Sequence, residues 1–161
     1  MPPPYKPPIP QPRPGDRPGA NTPVTVGLPE VTYFEQGRLR EKLVDEEAET
    51  VAQLLADEGL TPTQLRAYYF EVLSLRRRIE LELANAGNGD ETEIFAKHRP
   101  VLKMLRAKLH YAKARGTIRK NMQKWLEGHV RAVKELKDFR AFCAHFEAVV
   151  AFHRGKAREG K

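Results

Sequence analysis

From Phe139 onward, Phe142, Cys143, Phe146, Val149, Val150 and His153 recur at steps of three, one, three, three, one and three, which is one face of an α-helix over four turns. A stripe of this kind is stable only against other stripes, because a single helix cannot keep water from its apolar face. The chain supplies them. Residues 41–55 carry Leu43, Val44, Ala48, Val51, Leu54 and Leu55 at three-and-four spacing, and Leu65, Tyr68, Val72, Leu75, Ile79 and Leu83 step along a second face. Val101, Leu102, Leu105, Leu109 and Ala112 mark a third, and Ile118, Met122, Trp125, Leu126, Val133 and Leu136 a fourth. No segment alternates apolar and polar residues between hairpin turns. The pattern predicts an all-α fold, a single compact bundle of about five helices.

The boundaries are written in capping chemistry. Gly59 stops the first helix; Thr61 is an N-cap, Pro62 occupies the first helical position, and Gln64 completes a capping box. Residues 86–90, AGNGD, break the second helix, and Asp90 caps the third. Pro100 predicts a kink or a fresh first turn, since it lacks the backbone donor. Gly116 ends the third helix and Thr117 is the expected cap of the fourth.

Residues 1–29 hold 11 of the 13 prolines and no periodicity, so they are expected to form a disordered Pro-rich arm of polyproline II character, with the helical-bundle domain at 30–161. The arm serves as a solubilising leader or as a ligand for a partner's aromatic groove. Cys143 stands alone, which fits a reducing compartment. No apolar run approaches the roughly 20 residues that span a bilayer, and no signal peptide is visible, so the expected location is cytoplasmic without a membrane.

Charge is divided sharply. Residues 30–93 carry a net of −8, and residues 97–137, with 13 basic and 2 acidic side chains, a net of +11. In the third helix the cations flank the seam on both sides. Arg99, Lys103, Arg106, His110 and Lys113 form one shoulder; Met104, Lys108, Tyr111 and Arg115 form the other. The basic stretch spans roughly 21 Å, the length of about six phosphates along one nucleic-acid strand. Carboxylates at i, i+4 that ordinarily pair with such cations are missing, and Arg119 and Lys120 extend the charge into the next helix. Arg66 and Arg77 on the second helix lie about 20° from a common stripe and extend the footprint further. Two explanations stand side by side: solvated side chains whose stems lie along the bundle, or a surface for a polyanion.

Enzyme signatures are missing. The five histidines and Cys143 form no HExxH, HxxxH or CxxC arrangement, and there is no phosphate-binding loop or nucleophile elbow. Glu41, Asp45 and Glu49 read as an acidic solvent face, Cys143 as a buried inert thiol, and His153 as a seam or dipole-stabilised residue. No catalytic residue, metal or cofactor is expected.

Three segments, TPTQLRAYYFEVLSLRRR at 61–78, LRAKLHYAKARG at 105–116 and FRAFCAHFEAVVAFHR at 139–154, resemble in order and spacing the small subunit of the type III-A CRISPR-Cas effector, the Csm complex. The resemblance covers about 100 residues and does not reach the arm or the loop at 85–93. It implies a helical, non-catalytic subunit in antiviral defence that stacks as a filament or dimer beside the backbone subunits, abuts the large subunit, and contacts guide RNA and target RNA. Carried onto this sequence, it emphasises Arg66, Lys108 and Arg115 with Tyr111, whereas charge density emphasises Lys103, Arg106 and Lys113, with Arg119 and Lys120 in support. Phosphate contact without base readout is the expected mode. The alternative is an assembly factor whose basic half docks acidic partners without binding RNA.

Overall fold

In the computed structural model, which describes residues 27–159, the capping box at Thr61 is formed. Gln64 N donates to Thr61 Oγ1 at 3.2 Å, and Thr61 N donates to Gln64 Oε1 at 2.9 Å. The chain runs β1 (Phe34–Glu35), β2 (Arg38–Leu39), α1 (Glu41–Val44), α2 (Glu46–Asp57), α3 (Pro62–Ala86), α4 (Glu91–Ala114), α5 (Lys120–Ala132) and α6 (Leu136–Glu159). α1 is a single turn leading into α2, so five substantial helices make an all-α bundle. The expected arm falls outside the described residues as far as residue 26; from Leu28 and Val31 the chain packs against the core.

Several boundaries differ from the sequence expectation. The first helix breaks at Asp45, whose φ of −123° and ψ of −103° are not helical. A two-residue antiparallel hairpin, β1 with β2, pairs Phe34 with Leu39; its turn takes positive φ at both Gln36 and Gly37, the geometry that suits the twist of paired strands. Strands this short leave no alternation to read. α4 runs unbroken through Pro100 rather than restarting there. α5 begins at Lys120, not at Thr117, whose hydroxyl instead donates back to the Ala112 carbonyl and closes the end of α4. Val133 and Leu136 are not the tail of α5. The chain turns between them, Asp138 Oδ2 accepts from the backbone N–H groups of Lys134 and Glu135, and Leu136 opens α6.

α6 is the central element, packed chiefly on α2 and α3, while α4 lies between α3 and α5. Its Phe139, Phe142 and Phe146 are fully buried, with Phe142 stacked on Phe146 and the Trp125 ring edge-on to Phe146 at 4.9 Å. Each such ring stabilises the fold by about 1.5–3 kcal/mol through burial, plus about 0.5–1.5 kcal/mol for each well-oriented aromatic pair. Two buried histidines tie the N-terminal segment to this core. His145 Nδ1 lies 2.6 Å from the Leu43 carbonyl and its Nε2 accepts from Trp125 Nε1 at 3.0 Å, which fixes a neutral ring with the proton on Nδ1. His129 Nδ1 shares a 2.8 Å hydrogen bond with the Tyr33 hydroxyl. Burial holds the pKa of both histidines below the usual value. Cys143 is buried and its thiol pKa is pushed up to about 12, so it is inert at neutral pH.

Candidate nucleic-acid interface

The position of α4 between α3 and α5 divides its cations between two neighbours. The seam of Leu102, Leu105, Leu109 and Ala112 is buried, whereas Val101, expected on it, lies at its edge and is 46% exposed, and the two shoulders emerge on opposite sides of the helix. On the α5 side, Lys103 Nζ donates to the Val130 carbonyl at 2.6 Å, at the C-terminal end of α5 where the helix dipole favours a cation. Desolvation lowers the Lys103 pKa, and the nearby cations Lys134, Arg99 and Arg106 lower it further. Arg106 Nε lies 3.7 Å from Glu127 Oε1, which His110 Nε2 also approaches at 2.5 Å. On the α3 side, Lys108 Nζ meets Glu71 Oε2 at 2.7 Å. The expectation that the basic helix lacks carboxylate partners therefore fails at Lys108 and Arg106: their acids come from α3 and α5, beyond the reach of an i, i+4 search.

Other cations remain open. Lys113, Arg115, Arg119 and Lys120 are all exposed at the junction of α4 and α5, and none forms an ion pair with a described residue. Arg115 touches Tyr111, its guanidinium 5.6 Å from the ring centroid and Nη1 3.4 Å from the hydroxyl. Arg119 and Lys120 stand at the start of α5, where the helix dipole disfavours positive charge. The Glu58 carboxylate offsets this by accepting from the backbone N–H groups of Asn121 at 2.8 Å and Met122 at 3.4 Å. Gln64 Nε2 donates to the Thr117 carbonyl, which brings the first turn of α3 against the junction. Arg66 lies on that turn, exposed, its Nε donating to the Pro62 carbonyl, and Arg77 is exposed farther along α3. Arg66, Lys113, Arg115, Arg119 and Lys120 thus gather at one end of the bundle. Lys103 and Arg106 sit on the α5 side of α4, and Lys108 and Arg77 on the α3 side.

Between α3 and α4 lies a feature the sequence reading did not identify. Two adjoining hollows of about 670 Å³ and 380 Å³ share Ala67, Glu71 and Lys108 in their walls. Phe70, Val101 and Met104 line the first and Tyr111 the second. Phe70 and Met104 are each 58% exposed and Tyr111 is 65% exposed. A signal existed: these residues fall off the apolar stripes of their helices. Large apolar residues on a wet face mark a surface worth inspecting.

Among the described residues no group of three His, Cys, Asp or Glu side chains is placed to hold a metal ion, and no helix is long and apolar enough to cross a membrane. The family model described as Csm2, type III-A, matches residues 38–159. No curated protein and no solved structure matches the chain.

Proposed function

The chain belongs to the Csm2 type III-A family, the small subunits of a CRISPR-Cas effector complex, and from that premise we propose that it binds RNA through phosphate contacts and performs no catalysis itself. The observation that carries this is the junction of α4 and α5, where Lys113, Arg115, Arg119 and Lys120 lie exposed within eight residues without an acidic partner among the described residues. Like charges this close repel one another, and a phosphate backbone turns the repulsion into attraction while releasing condensed counterions. Guide RNA and target RNA supply such backbones in an effector of this class. Arg66, Arg77, Lys103, Arg106 and Lys108 extend the contact along α3 and α4. Sequence choice then comes from guide–target pairing rather than from this subunit.

Within the same proposal, copies stack on one another and on the backbone and large subunits in the cytoplasm. The acidic α1–α2 segment of one copy facing the basic half of the next makes a contact that does not close, and so a filament.

Replacing Arg115 and Lys120 together by alanine tests the phosphate contacts. Binding of unrelated single-stranded RNAs should weaken alike, and the salt dependence of log K should flatten by about 1.4, about 0.7 for each lost contact. An unchanged salt dependence would count against this surface. The competing assignment, an assembly factor with no RNA contact, predicts no gel shift with single-stranded RNA even at low salt.

A further inference from the structure

We propose that the groove between α3 and α4 is a stacking platform for the bases of single-stranded RNA, with Phe70 and Tyr111 as its rings. This rests on the RNA-binding assignment above and adds to it: the contact would engage bases by their flat faces as well as phosphates by their charge. Three observations meet here. Two aromatic rings on different helices are both more than half exposed, although each belongs to a well-packed helix. The hollows they line adjoin, sharing Ala67, Glu71 and Lys108, and the small side chains of Ala67 and Ser74 line the α3 wall of the one that Met104 and Val101 also border.

The rim is cationic. Arg78 and Lys108 border the first hollow and Arg115 the second, and the one acid in these walls, Glu71, is already paired with Lys108. On α3, Arg66 lies one turn before Phe70 and Arg77 two turns after it, all three exposed. A purely apolar protein partner would leave these cations desolvated and unpaired, at a cost. A single nucleic-acid strand satisfies both parts, because its bases have π faces for the rings and its phosphates have charge for the rim. The Arg115 guanidinium lies over the Tyr111 ring at 5.6 Å, which orients the ring while most of it stays open to solvent. Stacking tolerates any base, so the platform adds affinity without sequence choice.

The test uses the full-length chain and two strands of equal length and charge, an oligoadenylate and an abasic oligoribose phosphate, titrated by fluorescence anisotropy at low and moderate salt. The wild type should prefer the oligoadenylate. Phe70→Ala or Tyr111→Ala should each weaken oligoadenylate binding by about 5- to 150-fold while leaving abasic-strand binding and the salt dependence unchanged. Phe70→Leu and Tyr111→Leu keep an apolar side chain and should lose most of the same affinity, whereas Tyr111→Phe should retain it. Quenching of 2-aminopurine placed in the strand should disappear with the rings. All these side chains are exposed, and unaltered thermal unfolding confirms that the variants fold. Equal affinity of the wild type for the two strands overturns the platform while leaving the phosphate contacts standing. Failure of the wild type to bind either strand at low salt overturns both. Alanine variants that bind oligoadenylate normally but no longer enter the effector complex overturn the platform and assign the groove to a protein partner.

Discussion

Lys108 stands inside the candidate surface with its ammonium held by Glu71, and both side chains are about half exposed. Solvent screens such a pair, so it contributes little to stability. Its consequence is for binding, because a phosphate reaching Lys108 must compete with a carboxylate already there. Glu71→Gln should therefore strengthen single-stranded RNA binding and steepen its salt dependence by up to about 0.7, with no change in the melting temperature. A gel-shift series over salt concentration checks this, and weaker binding by the variant would show that Glu71 itself holds the RNA. By the same argument Arg115→Ala should cost more affinity than Lys108→Ala, since the Arg115 guanidinium rests on the Tyr111 side chain and pairs with no acid among the described residues.

At the level of the element, α5 is the helix whose start is held from outside. It opens on Arg119 and Lys120 with no side-chain cap of its own. Glu58, at the end of α2, supplies both the acceptor oxygens and the negative charge that the first turn lacks. Glu58→Ala should destabilise the protein by about 0.5–2 kcal/mol, the usual cost of removing a helix cap, seen as a lower denaturation midpoint. Glu58→Gln should recover part of that loss by keeping an acceptor while giving up the charge. The same contact places two cations beside the α4 terminus, so Glu58→Ala should also weaken RNA binding by letting the junction fray. α6 answers to a different force. Its Phe146 is fully buried against Trp125 and Tyr69, and Phe146→Ala should cost about 3–5 kcal/mol in a chemical denaturation measurement.

For the whole molecule, pH is the revealing variable. His129, His145 and His153 are buried, and burial holds all three pKa values below the ordinary histidine value near 6.5. The unfolded chain therefore takes up protons at a higher pH than the folded one. Stability is complete above about pH 6.5 and falls as pH drops below it, by at most about 1.4 kcal/mol per pH unit for each histidine. Glu80 and Glu82 act only at lower pH. Arg140 holds Glu80 below the carboxylate range, and Lys97 with His98 does the same for Glu82, so their contribution is present above about pH 4.5 and lost only as pH falls further. Denaturant midpoints measured from about pH 7.5 to 5.5 should fall, and His129→Phe together with His145→Phe should flatten the decline. How much of this was legible beforehand depended on distance along the chain. Helix faces, the Thr61–Gln64 box and the Asp90 cap rest on neighbours within four residues, and periodicity and capping rules act at that range. The all-α bundle and its family likeness were therefore set by sequence alone. The acids that claim Lys108 and Arg106, the carboxylate that starts α5 and the groove that opens Phe70 and Tyr111 to solvent join residues from different helices. Only the packing of α4 between α3 and α5, and of α2 on α5, decided them, because an ion pair or a groove depends on which faces meet, and helical period fixes the faces without fixing their partners.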